Sequence, residues 1–91
     1  MQQTLSITIT GKVQGVYFRQ SAKEKALALG LTGQAKNLRD GNVQIIASGT
    51  QEQLAAFTDW CKKGPPRAEV AGVEILELPL QLFDHFTIVR F

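Results

Sequence analysis

The sequence has 91 residues, of which 44% are hydrophobic and 20% are charged. This composition is too apolar for a disordered chain and predicts a single domain over residues 1–91. Ten lysines and arginines stand against eight acidic residues, which gives a net charge of +2. Such a small charge indicates no nucleic-acid partner unless one patch concentrates it.

The chain contains one cysteine, Cys61, and one histidine, His85. These counts exclude an intrachain disulfide, a thiolate metal cage and a histidine-rich metal site. No apolar run approaches the roughly 20 residues of a membrane helix, and the first residues lack the pattern of a secretory signal. We therefore expect a cytoplasmic protein with no metal, no cofactor and no membrane partner.

The first half of the chain predicts a strand, a helix and a second strand. Hydrophobic and polar side chains alternate from Leu5 to Lys12, the period of a strand with one buried and one wet face. The spacing then becomes helical and predicts a helix from about Arg19 to Leu29, ended by Gly30. Residues 31–38 have the character of a second strand.

The second half begins with a hairpin signal. Asp40-Gly41 lies between strand-like segments and predicts a tight turn into a third strand over residues 42–48. Thr50 and Gln53 have the spacing of a capping box, which predicts a second helix that ends before residues 64–66.

Two further strands complete the pattern. Residues 70–78 form the fourth, with Val73 and Ile75 predicted inward, and residues 86–91 form a short last strand. The order βαββαβ plus a C-terminal strand predicts an α+β, ferredoxin-like split βαβ sandwich. Its mixed or antiparallel sheet has both helices on one face, and right-handed crossovers place the first strand at the centre.

The loop from Gly11 to Arg19 joins a strand to a helix N-terminus, which makes it a candidate anion site. Unpaired N–H groups and the helix dipole favour an anion there, and glycines let the backbone curve around it. Arg19 is unfavourable beside the positive end of the dipole unless a bound phosphate reverses the interaction. Most loops of this kind bind nothing. Two other interpretations of Arg19 therefore stay open, an ordinary surface residue and a partner of a nearby carboxylate.

Asn37 is the second candidate site residue. Counting by two along the second strand places it on the helix-covered side with Leu31 and Ala35. A carboxamide there needs partners. It either caps the adjacent turn or holds a water molecule in one orientation, since an amide both donates and accepts.

At these residues the sequence resembles the acylphosphatase family. Residues 9–19, ITGKVQGVYFR, match its first signature, and residues 33–49, GQAKNLRDGNVQIIASG, resemble its second. Similarity extends to residues 64–70 and 86–88, so it covers nearly the whole chain. The family usually has an aromatic residue where this sequence has Gln34, a position that faces away from Asn37.

The resemblance implies hydrolysis of the carboxyl–phosphate anhydride of acyl phosphates to a carboxylate and inorganic phosphate. In the family, the side chain at the position of Arg19 binds the phosphate and the one at Asn37 positions the attacking water. The amides implied to bind the phosphate belong to Gly15, Val16, Tyr17, Phe18 and Arg19. We expect a monomer that binds a small acyl phosphate, or inorganic phosphate in the same site, without nucleic acid.

Two other functions are weighed against this one. A non-catalytic phosphate-binding module would use the same loop but would not require Asn37. An RNA-binding domain shares the βαββαβ order but displays aromatic side chains on its central strands. Residues 42–48 contain none. Cys61 is predicted to be a buried structural thiol and His85 a surface residue.

Overall fold

The computed structural model describes residues 1–90, and its elements follow the predicted order. They are β1 (Gln2–Lys12), α1 (Phe18–Leu29), β2 (Thr32–Asn37), β3 (Val43–Thr50), α2 (Gln51–Cys61), β4 (Glu69–Leu78) and β5 (Phe86–Val89). The predicted boundaries differ from these by at most three residues. Phe91, which the prediction included in the last strand, lies outside the described residues.

The five strands form one sheet in the order β4-β1-β3-β2-β5. β1 pairs antiparallel with β3 and β4, β2 pairs antiparallel with β3, and β5 pairs parallel with β2. The predicted split βαβ sandwich with a mixed sheet is confirmed. The prediction of β1 at the centre was wrong, because β5 extends the sheet beyond β2 and leaves β3 as the middle strand.

Both helices pack on one face of the sheet and enclose the core. α1 contributes Phe18, Ala22 and Ala26, and α2 contributes Leu54, Phe57 and Cys61. These side chains meet the inward side chains of the strands, which are Ile7, Ile9, Ala35, Val43, Ile45, Ala47 and Phe86. Neither helix of the described residues is long and apolar enough to cross a membrane.

The helix ends follow the local signals in the sequence. The Thr50 hydroxyl accepts a hydrogen bond from the Gln53 backbone N–H, and Gln53 Oε1 accepts one from the Thr50 backbone N–H. These two bonds complete the predicted capping box. At the other helix, Gly30 is left-handed and its N–H bonds to the last turn of α1.

The alternation in β1 predicts that the other face of the sheet is exposed to water throughout. The structure shows instead that part of this face is buried. Thr4 and Ser48 are buried there, and their hydroxyl oxygens lie 2.6 Å apart. The Gln81 N–H donates to Thr4 Oγ1 at 2.8 Å, and Ser48 Oγ donates to the Gln81 carbonyl at 2.8 Å. The connection from β4 to β5, residues 79–85, therefore crosses this end of the open face and shields it from water.

Ile75 is less buried than its inward position predicted. It lies opposite Ile7 in the β1–β4 register and shares its face of the sheet, yet it remains 46% exposed. β4 is an edge strand that the helices hardly cover. Val73, the other predicted inward side chain, is half-buried and packs against the core.

Candidate active site

The loop between β1 and α1, residues 13–17, runs over one end of the core. Val13 and Val16 are buried, as is Phe18 at the start of α1, whereas Gly15 and Tyr17 are exposed. These three apolar side chains thus anchor the loop. Its backbone remains at the surface as a consequence.

The backbone of this loop contains two residues with positive φ, a feature from which anion nests are built, and we call the loop the nest. Gly15 has φ 73°, and Tyr17 has φ 63° and ψ 27°. Tyr17 is the one non-glycine residue with positive φ between residues 1 and 90. Residues with positive φ, when they alternate with right-handed ones, turn successive N–H groups towards one point, which suits an anion. The left-handed conformation of Tyr17 costs about 1–3 kcal/mol.

The N-terminus of α1 leaves its amides open to that point. Tyr17 is the N-cap and makes no side-chain cap, and the first turn contains no acidic residue. The first N–H groups of the helix therefore keep their partial positive charge for another partner.

Arg19 lies in the first turn of α1 and is half-buried. Its Nη1 donates a hydrogen bond of 3.0 Å to the carbonyl oxygen of Val89, at the end of β5. This bond fixes the guanidinium beside the loop. Because it occupies one donor of five, the remaining donors can face a ligand.

Asn37 is the last residue of β2, and it lines the same cavity as Arg19. The cavity has a volume of about 380 Å³. Its lining is Val13, Gly15, Tyr17, Phe18, Arg19, Gln20, Asn37, Ile88 and Arg90. The two predicted side chains, far apart in the chain, are thus brought together. Gln34 lies on the opposite face of β2, between Ile46 and Thr87 in the register, and so points away from the cavity.

Gln14 connects the loop to the β2–β3 hairpin. Its Nε2 donates to the Leu38 carbonyl at 2.8 Å and to the Asn42 carbonyl at 2.9 Å. Leu38 and Asn42 are themselves joined by a backbone hydrogen bond of 2.8 Å. One side chain thus holds the loop against the turn that follows Asn37.

Sequence reasoning missed Gln14, Ile88 and Arg90 as parts of this site. Gln14 lies within the first signature, but nothing local indicates that its amide reaches the hairpin. Ile88 and Arg90 come to the cavity only because β5 pairs in parallel with β2. No signal within the last segment identifies that partner strand.

Other residues whose side chains could suggest chemistry lie outside the cavity, in structural surroundings or exposed to solvent. Cys61 is fully buried, and burial raises the pKa of its thiol to about 12. Trp60 packs against Phe18 and Phe57. Asp40 accepts from the Asn42 backbone N–H at 3.0 Å within the turn, and His85 is exposed. Within residues 1–90, no group of His, Cys, Asp and Glu side chains has the arrangement of a metal site.

Known proteins resemble this chain along almost its full length. The acylphosphatase family model matches residues 5–88. An acylphosphatase of Pseudomonas paraeruginosa is 48% identical over 82 residues, which are 90% of each chain. The solved acylphosphatase of Coxiella burnetii superposes with a TM-score of 0.94 at 38% identity, over 97% of this chain and 93% of its own. The solved acylphosphatase of Bacillus subtilis superposes with a TM-score of 0.93 at 34% identity, over 99% of this chain and 100% of its own. The chain therefore belongs to the acylphosphatase family, as the two signatures indicated.

Proposed function

We propose that this chain hydrolyses the carboxyl–phosphate anhydride of acyl phosphates to a carboxylate and inorganic phosphate. The amides of residues 15–19 and the Arg19 guanidinium bind the phosphoryl group, and Asn37 positions the attacking water. The observation that carries this proposal is the shared cavity of Arg19 and Asn37 beside the nest. Membership of the acylphosphatase family supports the reaction.

Phosphate binding follows from the direction of the local charges. The amides at the start of α1 and the guanidinium are all positive at the cavity, so a phosphoryl group relieves the repulsion between Arg19 and the helix dipole. Charge-assisted hydrogen bonds of this kind are short and about twice as strong as neutral ones. They also neutralise charge on the equatorial oxygens as the phosphoryl group is transferred.

The chemistry requires positioning more than a strong base. The water oxygen forms a bond to phosphorus while the bond from phosphorus to the acyl oxygen breaks, and the electrons of that bond leave with the carboxylate. A phosphate oxygen of the substrate accepts the proton of the water. Asn37 contributes an amide that orients this water and stays neutral at every working pH.

A phosphate-binding module without turnover would use the same nest. The family to which the chain belongs is a family of enzymes, and the comparisons give this alternative no support. We further propose that residues 1–91 act as one domain, as a monomer, in the cytoplasm. The proposal of one domain rests on the length and composition of the chain.

The test is hydrolysis of benzoyl phosphate with a chelator present. We expect rapid turnover by the unaltered chain and a loss of at least about 100-fold in kcat in Arg19→Ala and Asn37→Ala. Two exposed residues outside the cavity supply matched controls, Arg67→Ala and Gln51→Ala, and both should keep full activity. Circular dichroism and a urea titration establish that each variant is folded. No turnover by the folded, unaltered chain would contradict the proposal.

A further inference from the structure

A second cavity, larger than the first, adjoins the site. It has a volume of about 680 Å³ and shares Arg19, Asn37 and Arg90 with the first cavity. It lies at the carboxyl ends of the parallel strands β2 and β5. Its lining, called here the cationic groove, is Arg19, Lys36, Asn37, Leu38, Arg39, Val89 and Arg90.

The groove concentrates positive charge. Four of its seven lining residues are lysine or arginine, and none is acidic. The whole chain has only ten basic residues and a net charge of +2. Asp40, which follows Arg39 in the chain, directs its carboxylate into the turn, where both oxygens accept hydrogen bonds from Asn42. The field of the groove is therefore cationic beyond what one phosphoryl group at the nest requires.

The position of the groove fits the acyl part of the substrate. Arg19 lines both cavities, so a phosphoryl group bound by its guanidinium lies at the boundary between them. The acyl group is bonded to that phosphoryl group and must occupy adjoining space. Arg90 lines both cavities, whereas Lys36 and Arg39 line only the groove and are not needed to explain phosphate binding.

We propose that the cationic groove receives the acyl group and selects acyl phosphates whose acyl part carries a second negative charge. This inference rests on the proposed function. A carboxylate or a further phosphate on the acyl chain, within reach of Lys36, Arg39 or Arg90, would offset the repulsion among these cations. An uncharged acyl group of the same shape would gain nothing from them.

Two substrates of the same shape test the selection. In 4-carboxybenzoyl phosphate and 4-carbamoylbenzoyl phosphate, a carboxylate replaces a carboxamide, so only the charge of the acyl group differs substantially. We expect kcat/KM to favour the carboxylate by about two- to fivefold for each cation that reaches it, the range of exposed ion pairs. The preference should fall as salt is added, because ions screen exposed charges.

Variants assign the preference to the groove. Lys36→Gln and Arg39→Gln should each lower the carboxylate-to-carboxamide ratio of kcat/KM about two- to fivefold, and the double variant should lower it further. Lys62→Gln and Arg67→Gln remove the same charges at exposed positions outside the groove and should leave the ratio unchanged. Because the readout is a ratio within one variant, a general loss of stability or turnover cancels.

The outcomes separate this inference from the proposed function. Hydrolysis of both substrates with a ratio of one in the unaltered chain, or a ratio that the groove variants do not change, would overturn the groove as a charge-selecting site and leave the activity intact. Hydrolysis of neither substrate, nor of benzoyl phosphate, would overturn the activity and the inference together.

Discussion

Gln14 and Leu38 are joined across the site by a hydrogen bond of 2.8 Å from the Gln14 amide to the Leu38 carbonyl. Leu38 directly follows Asn37, so this contact fixes the distance between the β1–α1 loop and the end of β2. The second acceptor, the Asn42 carbonyl at 2.9 Å, lies on the other side of the turn. The loop and the turn are therefore held as one unit by a single side chain.

Replacing Gln14 with methionine tests this unit. Gln14→Met keeps the length of the side chain but removes both donors, so the loop can shift relative to Asn37. We expect kcat for benzoyl phosphate to fall about tenfold to 100-fold, since a displacement of about 1 Å can cost 100-fold. Inhibition by inorganic phosphate should change much less, because the nest itself is intact. Steady-state kinetics with phosphate as competitor measures both quantities.

The control for Gln14→Met is Gln44→Met. Gln44 donates only a long hydrogen bond of 3.4 Å to Ser6 and lies away from the cavity. Its replacement should leave kcat unchanged. Equal losses of kcat and phosphate affinity in Gln14→Met would assign Gln14 to the integrity of the nest instead of to the placement of Asn37.

Arg19→Lys should not preserve activity, although it preserves the charge. Lysine lacks the planar fork that can bond Val89 and a phosphoryl group at once. A lost charge-assisted hydrogen bond costs about 1.5–3 kcal/mol, so we expect kcat/KM for benzoyl phosphate to fall about 10- to 100-fold. The activity of Arg19→Lys should still exceed that of Arg19→Ala. Equal activity in Arg19→Lys and the unaltered chain would contradict a role for the guanidinium shape.

Gly33→Ala should damage the fold far more than Gly15→Ala. A Cβ at Gly33 would collide with the Ile46 carbonyl of β3, whereas a Cβ at Gly15 would meet no atom within 4 Å. We expect Gly33→Ala to lose more than about 3 kcal/mol of unfolding free energy, from strain and overpacking together. Gly15→Ala should lose only about 1–2 kcal/mol, from its left-handed backbone. Urea titration of both variants at one pH measures the difference, and similar losses would contradict it.

Cys61 makes stability depend on pH above its ordinary pKa. Burial raises the pKa of the thiol from 9.0 to about 12, so between these values the unfolded chain releases a proton that the folded chain retains. The unfolding free energy therefore falls as pH rises above 9, by about 1.4 kcal/mol per pH unit from this group alone.

The matched variant for this pH effect is Cys61→Ala. This variant has no thiol to ionise, although it also loses packing. Between pH 8 and pH 10, its unfolding free energy should fall by about 1.4 kcal/mol less than that of the unaltered chain. Urea titrations at pH 8, 9 and 10 give the two slopes. Parallel slopes would mean that the thiol ionises in the folded chain as easily as in the unfolded one.

Local chemistry explains which features the sequence predicts well. The capping box of Thr50 and Gln53, the helix end at Gly30 and the turn at Asp40-Gly41 each depend on neighbouring residues, and each is present. The helix start indicated Arg19 and strand alternation placed Asn37 on the helix-covered side, but only the family resemblance placed the two residues in one site.

The features that were missed depend on long-range pairing. Alternation places Ile75 on the inward face but does not indicate that β4 is an edge strand, so its exposure was not predicted. The burial of Thr4 and Ser48 results from a connection more than 30 residues away in the chain. The parallel pairing of β5 with β2, which brings Ile88 and Arg90 to the cavity, likewise has no local signal.

The hydrogen bond from Arg19 to the Val89 carbonyl makes the geometry of the site dependent on a short edge strand. β5 contributes only four residues and pairs on one side only, with β2. Strands of this kind open locally at a lower free energy than the core does. Opening of the end of β5 beyond the buried Phe86 would remove the Val89 carbonyl, Ile88 and Arg90 from the cavity while the helices and the other strands remain folded. In rising denaturant, turnover should therefore be lost before the helical signal.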